Sequence, residues 1–172
     1  MDVRTRVTAV YAIYKNSAAF RVSPIAPTWK SVLNAETRVS TRFVDWKGCL
    51  MFEFAPSSGP KTYDWTQKIV FSLSVDEMGK VLENKFPVEL FHDPNMMSEK
   101  QGQVTKGLQI TALERGFMFS VRQMDKSPEA KNPQSRIAVK VDPHEMMVLR
   151  SLMNFSIPRA LGVDAVFEAS RH

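Results

Sequence analysis

The sequence predicts a mostly β, α+β domain in which four strands followed by a helix occur twice. Three observations predict it. Apolar residues recur at every second position along much of the chain, the period of a half-buried strand. Two helix-start signatures stand at Ser74 and Asp142, one near the middle of the chain and one near its end. The 172 residues, 44% of them hydrophobic, suit one domain around a single core.

The first strand runs from Ala18 to Ile25, with Phe20 and Val22 pointing opposite to Arg21 and Ser23. A weaker alternation follows from Arg38 to Val44. Cys49 to Ala55 sets Leu50, Phe52 and Phe54 against Met51 and Glu53. The alternation from Lys61 to Leu73 is the longest. As one strand from Tyr63 to Leu73, it puts Tyr63, Trp65, Gln67, Ile69, Phe71 and Leu73 on one face and Asp64, Thr66, Lys68 and Ser72 on the other. That polar face is expected to meet water or a ligand. Ser74 and Glu77 then form a capping box, and Val75, Met78, Val81 and Leu82 follow at helical spacing.

The second half repeats the pattern without repeating the residues. Its strands are Val88 to Phe91, Val104 to Thr111, Phe117 to Met124 and Arg136 to Val141. Asp142-Pro143-His144-Glu145 opens the second helix, with proline where its missing N–H costs nothing. Met146, Leu149, Leu152, Met153 and Phe155 give this helix a wide apolar face, Pro158 kinks or ends it, and a short turn to Gly162 closes the fold. Loops fall at Ser57-Ser58-Gly59-Pro60, from Asp93 to Gln103, and from Ser127 to Gln134.

Composition narrows the function. Lys and Arg number 23 against 18 Asp and Glu, a net charge of +5, and the pI near 9.4 favours an anionic partner. The single cysteine, Cys49, excludes an internal disulfide and a cysteine-based zinc site. No run of about 18 apolar residues is present, so no helix is expected to span a membrane. Met1 to Arg6 is charged and too short for a signal peptide.

Catalysis finds no constellation. His92, His144 and His172 are scattered, and no metal-ligand spacing, P-loop, dinucleotide fingerprint or nucleophile elbow occurs, so neither a cofactor nor a small-molecule substrate is expected. His92-Asp93-Pro94 reads as a strand end entering a turn. Glu53 and Asp64, the carboxylates a nuclease would use, fall on different strands with no third ligand.

What points to function is the interleaving of basic and aromatic residues on strands. Lysines track the phosphates of a single strand while aromatic faces stack its bases, each worth about 1–3 kcal/mol. Lys61, Tyr63, Trp65 and Lys68 lie together, with Trp46, Lys47 and Phe52 on a neighbouring strand. The competing reading makes the stripe core. Tyr63 and Trp65 cannot line one core with Ile69 and Phe71 and also stack bases unless the strand projects past the sheet edge.

Tyr63-Asp64-Trp65, then Phe71-Ser72-Leu73-Ser74 with Glu77 and Gly79, Phe91-His92-Asp93-Pro94, Gly102-Gln103-Val104 with Lys106, and Phe155 with Pro158 and Gly162 occur in the order and spacing of the Whirly family. The resemblance covers about Tyr14 to Asp164 of one domain spanning 1–172. It implies two antiparallel four-stranded sheets packed across each other with a helix after each half, and a homotetramer formed through helices. It also implies binding of single-stranded DNA with little sequence preference, in genome maintenance and repair in mitochondrion or plastid, with nuclear roles in transcription. On that basis Lys15 and Lys106 join the expected binding set of Lys47, Phe52, Lys61, Tyr63, Trp65 and Lys68. Met146, Leu149, Leu152, Met153 and Phe155 become the expected subunit interface.

The chain departs from the family in places. Where the family reads KGKAAL, it has Lys15-Asn16-Ser17-Ala18-Ala19-Phe20, which puts further assembly of tetramers in question. Val163 stands where the family usually has tryptophan, and the family's acidic tail is not expected after Arg171-His172. The mitochondrial RNA-binding proteins of kinetoplastids resemble the same fold, which keeps RNA open as the ligand. A protein-interaction ring without a nucleic-acid role is the remaining alternative.

Overall fold

The computed structural model describes residues 8–131 and 133–169. Met1 to Arg6, Arg171 and His172 lie outside the described residues. The second half takes the expected form. Strands β8 (Val88–His92), β9 (Val104–Ala112), β10 (Phe117–Asp125) and β11 (Gln134–Val141) make an antiparallel meander in the order β11-β10-β9-β8. Gly116 turns β9 into β10 at φ +89°, where a Cβ would come within 2.4 Å of the Val141 carbonyl.

The first half is more elaborate than four strands. Its sheet joins β1 (Tyr11–Tyr14), β2 (Ala18–Ile25) and β5 (Cys49–Gly59), and two short strands, β6 (Thr62–Tyr63) and β7 (Ile69–Leu73), pair with successive stretches of β5. The strand expected from Arg38 to Val44 is β4 (Ser40–Trp46). Among the described residues it pairs with β3 (Thr28–Leu33) alone, in a separate ribbon whose Val32, Leu33 and Trp46 are exposed. Having no buried face, β3 shows no clean alternation.

The single strand expected from Tyr63 to Leu73 is broken. Asp64 accepts hydrogen bonds from the Thr66 amide at 2.9 Å and the Thr66 hydroxyl at 2.5 Å, and so caps a 3₁₀ turn over Trp65–Gln67. The carboxylate offers the backbone a local alternative to the ladder. Lys61 turns the chain before β6 at φ +57°. Tyr63 and Trp65 therefore do not share the core face of Ile69, Phe71 and Leu73.

One apolar cluster joins the two sheets. Phe20 stacks on Phe54 at 4.6 Å between ring centroids and meets Phe119 of the second sheet at 5.5 Å. Helix α1 (Val75–Leu82) begins at the expected capping box, with the Ser74 amide 2.9 Å from Glu77, and buries Met78 and Val81. Helix α2 (Pro143–Ala160) begins with the Asp142 amide donating to Glu145 at 2.7 Å. It runs on two residues past Pro158, whose missing N–H forfeits one ladder bond, to the Asn154 carbonyl, close to the end of the helix. The chain then forms a further helix, α3 (Val163–Ala169), where only a closing turn was expected.

Candidate nucleic-acid interface

Alternation along β2, β5 and β7 sends Phe20, Val22, Phe52, Phe54 and Phe71 into the core, so Arg21, Glu53 and Val70, which stand in register, face outward. Glu53 is 4% exposed. It accepts from Arg21 Nε at 2.8 Å and from Lys68 Nζ. Burial pushes its carboxyl up, but the hydrogen bonds from Arg21 and Lys68 outweigh this and hold the pKa below the usual carboxylate value. The Arg21 guanidinium also covers the half-buried Trp65 ring at 4.2 Å.

Lys15 is engaged in the same way. Its ammonium lies 2.7 Å from Asp142 and 2.9 Å from Glu145, tying the β1–β2 turn to the start of α2. Desolvation pulls its pKa down, yet those two hydrogen bonds win and raise it. Tyr63 donates its hydroxyl to the Lys15 carbonyl at 2.9 Å, and its ring lies 5.5 Å from that of the exposed Tyr14. Lys106 bridges the sheets by donating to the Val70 carbonyl at 2.9 Å, and burial lowers its pKa. Lys47 and Lys61 are exposed, without ion-pair partners among the described residues.

Several expected residues must be reassigned. Phe52 is wholly buried, in contact with Phe20 and Phe119, and offers no face to a base. Tyr63, Trp65, Lys61 and Lys68 do gather at one end of the first sheet, whereas Lys47 lies at the opposite end, beside Asp76 and Lys80. Met146, Leu149 and Met153 are core residues and Leu152 packs against them, so of the helix set only Phe155 is available to a partner. The wide apolar face is used within the subunit. What α2 and α3 expose are Met147, Val148, Phe155, Val163, Val166 and Phe167.

Glu53 and Asp64 are each committed to structural partners, and no group of three or more His, Cys, Asp or Glu among the described residues stands where it could hold a metal. His92 ends β8 as expected. Its ring meets Glu77 at 2.8 Å and stacks on Phe71 at 4.0 Å. No described helix is long and apolar enough to cross a membrane.

Sequence reasoning overlooked the outer face of the second sheet. Register places Arg136, Arg122, Gly107 and Phe91 side by side on β11, β10, β9 and β8, with core residues at the alternate positions. The signal was present as single polar positions inside apolar strands. Only the register shows that they meet.

A family model described as "Whirly transcription factor" matches residues 13–152. The chloroplastic single-stranded DNA-binding protein WHY1 of Solanum tuberosum is 35% identical over 161 residues, covering 91% of this chain and 56% of that protein. The mitochondrial single-stranded DNA-binding protein WHY2 of Arabidopsis thaliana is 30% identical over 159 residues, 91% of this chain and 64% of its own length. The chain thus spans somewhat over half the length of these relatives. The crystal structure of WHY3 from Arabidopsis thaliana superposes with a TM-score of 0.84 at 29% identity, over 99% of this chain and 97% of that one. The plant transcriptional regulator PBF-2 gives 0.83 at 32% identity, over 96% and 89%.

Proposed function

This chain belongs to the Whirly family, and from that membership we propose that it binds single-stranded DNA with little sequence preference, as a homotetramer, in a mitochondrion or plastid. The observation that carries this reading is the likeness over nine-tenths of the chain to proteins named for single-stranded DNA binding in those organelles. Genome maintenance and repair are the process it serves, with transcription regulation as a further role. We read residues 1–172 as one Whirly-type domain of no enzymatic activity. The crossed pair of four-stranded sheets belongs to the same reading: β1, β2, β5 and β7 are the first sheet's four strands, while β6 and the β3–β4 ribbon are additions.

Within this reading Lys61, Tyr63, Trp65 and Lys68 border the DNA path, and Lys47 adds charge at its far end. Lys15 and Lys106 position backbone near that path. Subunits meet through the exposed apolar side chains of α2 and α3, Phe155 foremost. Light scattering with and without a single strand of about 30 thymidines tests assembly and binding together. A tetramer mass that rises with added strand is expected, and a monomer at micromolar concentration would overturn the assembly. Competition between matched DNA and RNA strands is expected to favour DNA, and preference for RNA would move the chain to the alternative ligand.

A further inference from the structure

The row Arg136, Arg122, Gly107 and Phe91 crosses the second sheet at right angles to its strands. With strands about 4.8 Å apart, it spans about 14 Å. Phe91 is 61% exposed. The Arg122 side chain lies down over Gly107, where a Cβ would come within 2.8 Å of its Nε and 3.3 Å of its Cγ. It makes no hydrogen bond or ion pair among the described residues. Arg136 donates Nε to the Ser120 hydroxyl at 2.9 Å, which orients the guanidinium.

The carboxylate on this part of the face, Glu89, stands in the next row and accepts from Gln109 Nε2 at 2.8 Å. Both guanidinium groups border a depression of about 230 Å³ that Glu89 and Gln109 also line. Two cations without a carboxylate partner among the described residues, one seated on a glycine and one held by a hydroxyl, stand in line with an exposed ring.

We propose that this row is a binding surface for single-stranded DNA, in which Arg122 and Arg136 hold phosphates and Phe91 gives a base a face to stack on. It rests on the function proposed above and assigns it residues on the second sheet. Glycine is needed at position 107 because any side chain there would lift Arg122 off the strand.

The test is fluorescence anisotropy with a labelled strand of about 30 thymidines, titrated over a range of salt concentrations. Removing both charges in Arg122→Gln/Arg136→Gln should weaken low-salt binding about tenfold or more and make the log-log salt slope shallower by about 1.4, since each single-strand phosphate contact contributes about 0.7. Arg122→Lys/Arg136→Lys should restore most of the slope. Gly107→Ala keeps both charges but displaces Arg122, and should weaken binding several-fold with an unchanged melting temperature. Wild-type affinity and slope in the double glutamine variant would overturn the proposal while leaving the proposed function standing. Failure of the wild-type protein to bind the strand at all would overturn both.

Discussion

The outer faces of the two sheets are made alike and end up electrically different. Both are antiparallel, and both carry cations at alternate strand positions. On the first, the nearly buried Glu53 holds Arg21 and Lys68, and nearby Lys15 is held by Asp142 and Glu145. On the second, Arg122 and Arg136 have no carboxylate partner among the described residues, because Glu89 lies in the adjacent row, bonded to Gln109. Counting lysines along a strand finds charge. What matters for a phosphate is charge that no neighbouring strand has already answered.

Phe52→Ala tests the border between face and core, and should have the largest effect. Removing a fully buried phenylalanine from an aromatic cluster costs about 3–5 kcal/mol, read as a lower urea midpoint with affinity per folded protein intact. Unchanged stability with lost affinity would return Phe52 to the binding face.

Glu53→Gln tests the neutralisation itself. Breaking a buried ion pair costs about 3–5 kcal/mol, and because Arg21 and Lys68 are both about one-third exposed, about 1–3 kcal/mol is expected in thermal unfolding. The same substitution frees two cations, so the salt dependence of DNA binding should steepen. A slope identical to wild type would show that the first sheet's cations do not reach the strand.

Trp65→Ala has a smaller expected effect, on binding alone: about tenfold in affinity, or about 1.4 kcal/mol, with melting temperature and subunit mass preserved. A sharp fall in melting with affinity per folded protein intact would make Trp65 a lid over Arg21 and nothing more.

Acid titration gives the smallest and broadest effect. Glu53 and Glu77 both have pKa values below the usual carboxylate in the folded chain, against burial, through their hydrogen bonds to Arg21 and Lys68 and to His92 and Ser74. A depressed carboxylate contributes stability that is present above its unfolded pKa, about 4.3, and is lost as pH falls through the lower folded value. Wild-type stability should therefore fall on acidification below about pH 4.3, and fall less steeply in Glu53→Gln. Parallel acid curves for the two proteins would contradict the role given to Glu53.

The second half was legible because each of its strands is a single alternation between turns, and both helices announce themselves by caps that the structure forms. The first half was less so. Asp64 diverts its neighbours into a 3₁₀ turn by side-chain hydrogen bonds, which no periodicity reveals, and β3 belongs to a ribbon too exposed to need an apolar face. The cluster Lys61, Tyr63, Trp65 and Lys68 could be found along the chain because its members are local. The row Arg136, Arg122, Gly107 and Phe91 could not, since it exists only across four strands.

The most direct test of this account compares the salt slope of strand binding when Lys15 and Lys68 are replaced by glutamine with the slope when Arg122 and Arg136 are. Cations already held by carboxylates release few counterions on binding DNA, so the lysine pair should leave the wild-type slope nearly unchanged while the arginine pair makes it shallower by about 1.4. The opposite ranking would make the carboxylate-held Lys15 and Lys68, and not Arg122 and Arg136, the main phosphate contacts, and would contradict this division of labour.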